Sequence, residues 1–301
     1  MKLLLNDGGK LRAFWRALIF FWIGTGLSWA EAALLSDITK HYPALDHLTF
    51  QTIIFFEGLT LVNALVCTWI FSRYENRRLD SYGLPIREAF SARFWEGLAL
   101  GIVAPALVGL GMLALHGWVI VGVNLHGVEW LVFPLGWLVA NVVVGFAEEM
   151  WYRGYMLQTL SKSLGFWPAA VILSLLFVSD HYFFKAGENL YDVVTLFLFG
   201  VFICLSVRRT GTLWFAVGFH IAFDFMQLFV IGTRNGALTP VGSLFVSQFP
   251  GPAWINGGVL GTEASVLVYP ITLLMYIYLL WRYPRDRALV DPPEDIKLPT
   301  V

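Results

Sequence analysis

Ionisable side chains interrupt several of the most apolar stretches of this sequence. A charged or ionisable group inside a membrane-spanning helix costs about 2.5–3.5 kcal/mol on insertion scales, so such groups are rare and by default indicate a function. In chain order, six ionisable residues in these stretches stand out: Glu148, Glu149, Arg153, His181, His220 and Asp224. These six residues are the candidates for chemistry.

The first three candidates lie in the run GFAEEMWYRG, residues 145–154. Glu149 and Arg153 are spaced i, i+4 with the acid first, which is the better orientation for a helical ion pair. On an α-helix Glu148 points about 100° away from Glu149 and is free for another role. The alternative is that the span ends near Ala147, which leaves the glutamates among the headgroups and makes the arginine an interfacial, snorkelling residue.

His220 and Asp224 are also spaced i, i+4, and Gln227 follows on the same helical face. Three polar groups on one face of an apolar span cannot comfortably meet lipid, so this face is predicted to point into the protein. The alternative is a buried His–Asp hydrogen bond that only fixes helix packing.

The composition defines the elements that must position these residues. Apolar residues make up 57% of the 301 residues and charged residues 14%, and several apolar runs approach the roughly 20 residues that a helix needs to cross a bilayer. We therefore predict an all-α, polytopic membrane protein with about eight transmembrane helices. The predicted spans are 14–35, 50–72, 94–115, 131–157, 167–184, 191–207, 212–231 and 264–282.

The distribution of basic residues predicts the orientation. With a cytoplasmic N-terminus, all of the 20 Lys and Arg residues except Lys40, Lys185 and Arg234 fall on the cytoplasmic side. This asymmetry is typical of the positive-inside rule and predicts that both termini are cytoplasmic.

Helical rise predicts which candidates lie at the same depth. The run SKSLGF, residues 161–166, reads as a tight connection between two antiparallel helices, and Glu148 and His181 both lie roughly 25 Å along their helices from its centre. A similar measure from Gly211 places His220 about 14 Å along the seventh span. The predicted active site is therefore buried among the fourth, fifth and seventh spans.

The chain is predicted to form one transmembrane domain over residues 1–290, with a disordered tail at 291–301. The Gly- and Pro-rich segment between the seventh and eighth spans, 232–263, is predicted to pack over the outer face. Residues 73–93 are predicted to form an interfacial segment attracted to anionic lipid. The partners predicted for this domain are the lipid bilayer and a membrane-associated protein or peptide, and no nucleic acid.

The three motifs together resemble a known family. Glu148 to Arg153 reads as EExxxR, Phe177 to His181 as FxxxH, and His220 to Asp224 as HxxxD. In this order on separate helices, they resemble the CPBP family of CaaX-type prenyl endopeptidases and bacteriocin-processing membrane proteins. The resemblance covers roughly residues 94–231.

The resemblance implies an intramembrane endopeptidase, in a bacterial plasma membrane, that hydrolyses a peptide bond of a membrane-associated and prenylated CaaX-type substrate. It implies that Glu148 is the general base, that His181 helps to bind the water, and that His220 and the residue four positions on serve the oxyanion. The family's prenyl-processing members usually have asparagine at that position, where this chain has Asp224. An ionised aspartate cannot donate a hydrogen bond to an oxyanion, so peptide-bond hydrolysis is expected more firmly than CaaX specificity.

The sequence leaves open whether a metal cofactor is needed, and it leaves two alternative functions. The Glu, His and Asp groups are also an adequate ligand set for zinc, in which case Glu148, His181 and His220 would be the ligands; metal-free catalysis is the favoured expectation. One alternative function is a proton-coupled transporter that uses the same groups as a relay. The other is a non-catalytic immunity or scaffold protein with the same fold.

Overall fold

The computed structural model describes residues 4–6, 8–41, 47–187 and 189–287. The predicted tail at 291–301 lies outside these ranges. Eight long helices account for most of the described chain. They are α1 (Ala13–His41), α2 (Phe50–Glu75), α3 (Ala92–Ala114), α4 (Glu129–Leu164), α5 (Phe166–Phe184), α6 (Leu190–Thr210), α7 (Trp214–Ile231) and α8 (Val268–Arg282).

The helices confirm an all-α, polytopic membrane protein. Among the described residues, seven helices, α1 to α7, are long and apolar enough to cross a membrane. The eighth, α8, is apolar but has 15 residues, which span about 22 Å against a hydrocarbon thickness of about 30 Å. The count of eight transmembrane spans therefore stays a prediction.

The predicted connection at 161–166 is wrong in its extent. Helix α4 continues through Ser161 and Lys162 to Leu164, and a single residue, Gly165, separates it from α5. Gly165 has φ 83°, a conformation that glycine adopts without steric cost and that allows the chain to reverse in one residue. The polar run does not break the helix because Ser161 and Lys162 are themselves buried against the protein.

Two of the long helices change their hydrogen-bonding pattern beside the candidate residues. The part of α4 from Glu149 to Met156 is a π-helix, and so is the part of α7 from Phe225 to Ile231. These segments begin directly after Glu148 and Asp224. Short π-helical segments inside α-helices are often found at functional sites.

Helices α3 and α7 approach each other through glycine. A Cβ atom built on Gly97 would lie 2.0 Å from the carbonyl oxygen of Phe215, and one built on Gly101 would lie 2.2 Å from that of Phe219. The two glycines form a GxxxG pattern, which allows close contact between membrane helices. The contact holds the first half of α7, which carries His220, against α3.

A small sheet covers the end of the bundle at which α4 begins. Strand β1 (Val119–Val123) pairs antiparallel with β2 (Phe245–Gln248). Strand β2 belongs to the segment 232–263, which also accepts a hydrogen bond from Trp137 Nε1 at the carbonyl of Val241, 3.1 Å away. We call this the sheet end of the bundle, and the opposite end, at which α4 turns into α5, the Gly165 end.

Residues 73–93 pack against the Gly165 end. Two short 3-10 turns, Leu79–Ser81 and Ile86–Glu88, flank the Gly83 carbonyl, which accepts a hydrogen bond from the backbone of Leu213 at 2.7 Å. Tyr82 is 2% exposed. The segment is therefore anchored to the start of α7 as well as presenting arginines at its surface.

The glycine contact predicts a specific stability effect. We expect Gly101→Val to lower the free energy of unfolding by about 3 kcal/mol or more, because the added side chain meets backbone that cannot move aside without separating α3 from α7. Gly26→Val is the matched control, since a Cβ atom at Gly26 meets nothing within 4 Å. Melting curves of both variants in detergent test this, and equal melting temperatures would contradict it.

Candidate active site

The imidazole of His220 lies between the two adjacent glutamates of α4. Its Nδ1 is 2.8 Å from Oε1 of Glu149, and its Nε2 is 3.5 Å from Oε2 of Glu148. The same Nε2 is 3.5 Å from Oδ2 of Asp224, one turn along α7. The structure thus joins the first and third sequence motifs around one side chain.

The ion pair predicted between Glu149 and Arg153 is present. Arg153 Nη1 lies 3.4 Å from Glu149 Oε1, and the two side chains are 1% and 0% exposed. The guanidinium also lies over the ring of Phe177, 4.8 Å from its centre, and interacts with Cys204. The pair is therefore enclosed by α4, α5 and α6.

Both glutamates face His220, although their side chains leave an α-helix in directions about 100° apart. Imidazole has nitrogens on two different edges, so one ring placed between neighbouring side chains reaches both of them. Glu149 consequently contacts both Arg153 and His220. This placement fixes the orientation of the ring.

One carboxylate oxygen of Glu148 forms no hydrogen bond to the described part of the protein. Its Oε2 is buried and has no hydrogen-bond partner among the described residues, although buried carboxylate oxygens normally have one. The separation of 3.5 Å between this oxygen and His220 Nε2 is longer than an ordinary hydrogen bond, so the oxygen can still accept a hydrogen bond from another group. Glu148 is therefore placed to bind water or a polar group of a substrate.

His181 lies at the edge of the cluster. Its Nδ1 is 2.9 Å from the carbonyl oxygen of Phe177 on its own helix, and its ring interacts electrostatically with His220, Lys185 and Glu263. No hydrogen bond joins His181 to Glu148 among the described side chains. Helices α4 and α5 are in contact one turn away, where the rings of Tyr152 and Phe177 lie 5.3 Å apart, and the placement of Glu148 and His181 face to face stays a prediction.

Glu57 of α2 is a site residue that the sequence analysis missed. It interacts electrostatically with Glu148, His220 and Asp224, and therefore belongs to the same cluster. It lies in the apolar run IIFFEGLTL. The criterion that selected the other candidates, an ionisable group inside a span, applies to it equally.

A second group missed from the sequence comes from the segment 232–263. Glu263 Oε2 is 3.1 Å from Lys185 Nζ, and its Oε1 accepts a hydrogen bond of 3.1 Å from Gln227. Burial raises the pKa of Glu263, but Lys185, His181 and the hydrogen bond from Gln227 together outweigh burial and hold the pKa below its usual value. Gln227, predicted to share the face of Asp224, is therefore turned towards this segment.

The side chains left open as zinc ligands, Glu148, His181 and His220, do not form a compact group. Among the described residues, no three or more His, Cys, Asp or Glu side chains form a metal-binding group. His181 Nδ1 meets a backbone carbonyl, and His220 Nδ1 meets Glu149.

One part of the chain matches a model of a known protein family. Residues 128–226 match the family model described as Type II CAAX prenyl endopeptidase Rce1-like. The matched region contains all six candidate residues and contains neither Glu57 nor Glu263. No curated protein matches the chain.

The buried pair predicts an effect on stability. We expect Glu149→Gln to lower the free energy of unfolding by about 3–5 kcal/mol, because it leaves the Arg153 charge buried without its counter-charge. Adding Arg153→Met should restore part of the loss. Melting curves in detergent provide the test. Glu148→Gln is the matched control, because among the described residues Arg153 forms its ion pair with Glu149 and not with Glu148. A native-like melting temperature for Glu149→Gln would contradict the prediction.

Proposed function

We propose that this chain, of which residues 128–226 match the Rce1-like family model, is a member of the CPBP family and an intramembrane endopeptidase that hydrolyses a peptide bond of a membrane-associated protein or peptide. The single observation that carries the proposal is the unpartnered, buried Oε2 of Glu148 beside His220 Nε2. A carboxylate beside an imidazole in a water-poor cavity is an arrangement suited to general-base catalysis.

In the proposed reaction, Glu148 removes a proton from a water molecule as the water oxygen attacks the carbonyl carbon of the scissile bond. His181 helps to hold that water. The carbonyl oxygen becomes an oxyanion, towards which His220 supplies an N–H group. The C–N bond then breaks, and the proton taken up by Glu148 passes to the leaving amine.

Glu149 and Arg153 act as positioning residues in this proposal. Glu149 contacts His220 Nδ1 at 2.8 Å, which fixes the ring so that Nε2 points towards Glu148 and Asp224. Arg153 balances the charge of the glutamate. Of the two adjacent glutamates, Glu148 is thus the catalytic residue and Glu149 is the residue that orients the histidine.

Asp224 affects both the binding of the oxyanion and the choice of substrate to test. Its Oδ2 lies 3.5 Å from His220 Nε2, so an ionised Asp224 orients the imidazole and leaves donation to the oxyanion to the ring. We propose a CaaX-type, prenylated substrate as the first candidate to assay. We further propose a bacterial plasma membrane as the location of the protein, with both termini in the cytoplasm.

The catalytic assignment predicts an inactive but folded variant. General-base assistance contributes about 10²–10⁴-fold, and a base that also generates the nucleophile is expected at or above the upper limit, so Glu148→Gln should be nearly inactive with a native-like melting temperature. The measurement is cleavage of a prenylated CaaX peptide and of the same peptide without the prenyl group. A proteomic comparison of membrane peptides from cells expressing the native chain or the variant extends it to other substrates.

Glu129→Gln is the matched control for this experiment, because it removes a carboxyl from the first turn of the same helix and should leave turnover unchanged. Native turnover by Glu148→Gln would exclude the proposed mechanism. A stable but inactive Glu149→Gln would show that the roles assigned to the two glutamates must be reversed.

The proposed metal-free chemistry makes a separate prediction. Purified protein should retain its activity after exhaustive chelation and should contain far less than one zinc ion per chain, because the steps above need no Lewis acid. Metal content by mass spectrometry and activity before and after chelation are the measurements. Stoichiometric zinc whose removal abolishes activity and whose return restores it would instead make Glu148, His181 and His220 ligands.

A further inference from the structure

A groove separate from the His220 cluster runs between α2 and α4. Its volume is about 640 Å³, within the roughly 300–1,000 Å³ of ordinary ligand pockets. Its wall is formed largely by apolar side chains of the two helices, Leu61, Leu65, Trp69, Phe146 and Met150. Because both helices are candidate membrane spans, this apolar surface has the chemistry of the acyl-chain region of a bilayer.

The other end of the groove is basic. Arg73, Arg77 and Arg78 line it together with one acid, Asp80. Arg73 is exposed. Arg78 is also exposed and pairs with Asp80 at 2.9 Å, and an exposed pair of this kind is weak enough to open for a stronger anion. The lining thus carries an excess of positive charge where the apolar wall ends.

From this combination we propose that the groove binds an anionic phospholipid of the surrounding bilayer. Arg73 and Arg78 bind its phosphate, and one acyl chain lies between α2 and α4. Guanidinium groups match phosphate oxygens in geometry as well as charge. Charge complementarity selects an anionic over a zwitterionic lipid, because the latter carries a compensating positive group.

The proposed acyl chain lies close to the candidate active site without being part of it. Met150 follows Glu149 directly in the π-helical segment, and its side chain lines the groove. A bound chain therefore packs against the turn of α4 that holds the buried ion pair. A lipid that binds the native state alone raises the melting temperature.

The test compares two lipids with identical acyl chains on the full-length protein. Native mass spectrometry in detergent measures the affinities for phosphatidylglycerol and phosphatidylcholine, with glycerol phosphate as a probe of the headgroup alone. A juxtamembrane arginine contributes roughly fivefold to the binding of an anionic lipid, so two arginines give roughly a 25-fold preference. We expect glycerol phosphate to compete weakly, because it lacks the acyl chain.

Two variants separate the two parts of the groove. Arg73→Gln with Arg78→Gln should lower the affinity for phosphatidylglycerol roughly 25-fold, to that for phosphatidylcholine. Leu65→Trp fills the apolar part and should lower the affinities for both lipids while the arginines remain. The matched control is Arg285→Gln with Arg287→Gln, in a second basic cleft of the chain, which should change neither affinity.

A phosphatidylglycerol with a photoreactive acyl chain locates the bound lipid. Labelling of the α2 and α4 peptides that line the groove supports the proposal, and labelling confined to other helices overturns it. Equal affinities for the two lipids in the native chain, or an equal loss in the control variant, also overturn it. If glycerol phosphate displaced phosphatidylglycerol completely, the groove would be a site for free phosphate, and the proposal that an acyl chain binds between α2 and α4 would be overturned.

Discussion

A carboxylate that is completely withdrawn from solvent constrains how the helices of this protein can be arranged. Glu149 contacts Arg153 on its own helix and His220 on α7. Removing one member of such a group leaves an uncompensated buried charge, which is far more costly than the loss of a surface ion pair. Any sliding or rotation of α4 against α7 would separate these atoms. The close glycine contact between α3 and α7 further restricts α7, so the position of His220 is fixed from two sides.

The cluster around His220 draws on distant parts of the chain. Glu57 belongs to α2, the glutamate pair to α4, His181 to α5, and Glu263 to the segment that follows α7. Gln227 and Lys185 hold Glu263 in place from two different elements. The segment 232–263 is therefore more than a cover over the sheet end, because its last residue contributes a charge to the surroundings of Asp224. Each of these groups depends on the packing of the whole bundle.

The sequence predicted those parts of the structure that depend on hydropathy and helical spacing. All eight predicted spans correspond to helices, and the i, i+4 pair of Glu149 and Arg153 is present, because both follow from local composition and from the fixed rise of a helix. Glu57 carried the same signal as the other candidates and was predictable on the same ground. Glu263 was not, because it lies in a Gly- and Pro-rich segment in which no periodicity specifies the tertiary contacts. The π-helical segments and the one-residue turn at Gly165 were also beyond the sequence, since they depend on packing rather than on hydropathy.

The uninterrupted length of α4 determines how water can reach the glutamates. The helix has 36 residues and is therefore about 54 Å long, well above the roughly 30 Å of a hydrocarbon core, so it must extend beyond the bilayer even when tilted. Glu148 lies about 28 Å along the helix axis from Glu129 and about 24 Å from Leu164. The glutamate pair is therefore separated from both ends of the helix by nearly the thickness of a hydrocarbon core. Water and substrate must reach it from the side of α4, between this helix and its neighbours, and not past either of its ends.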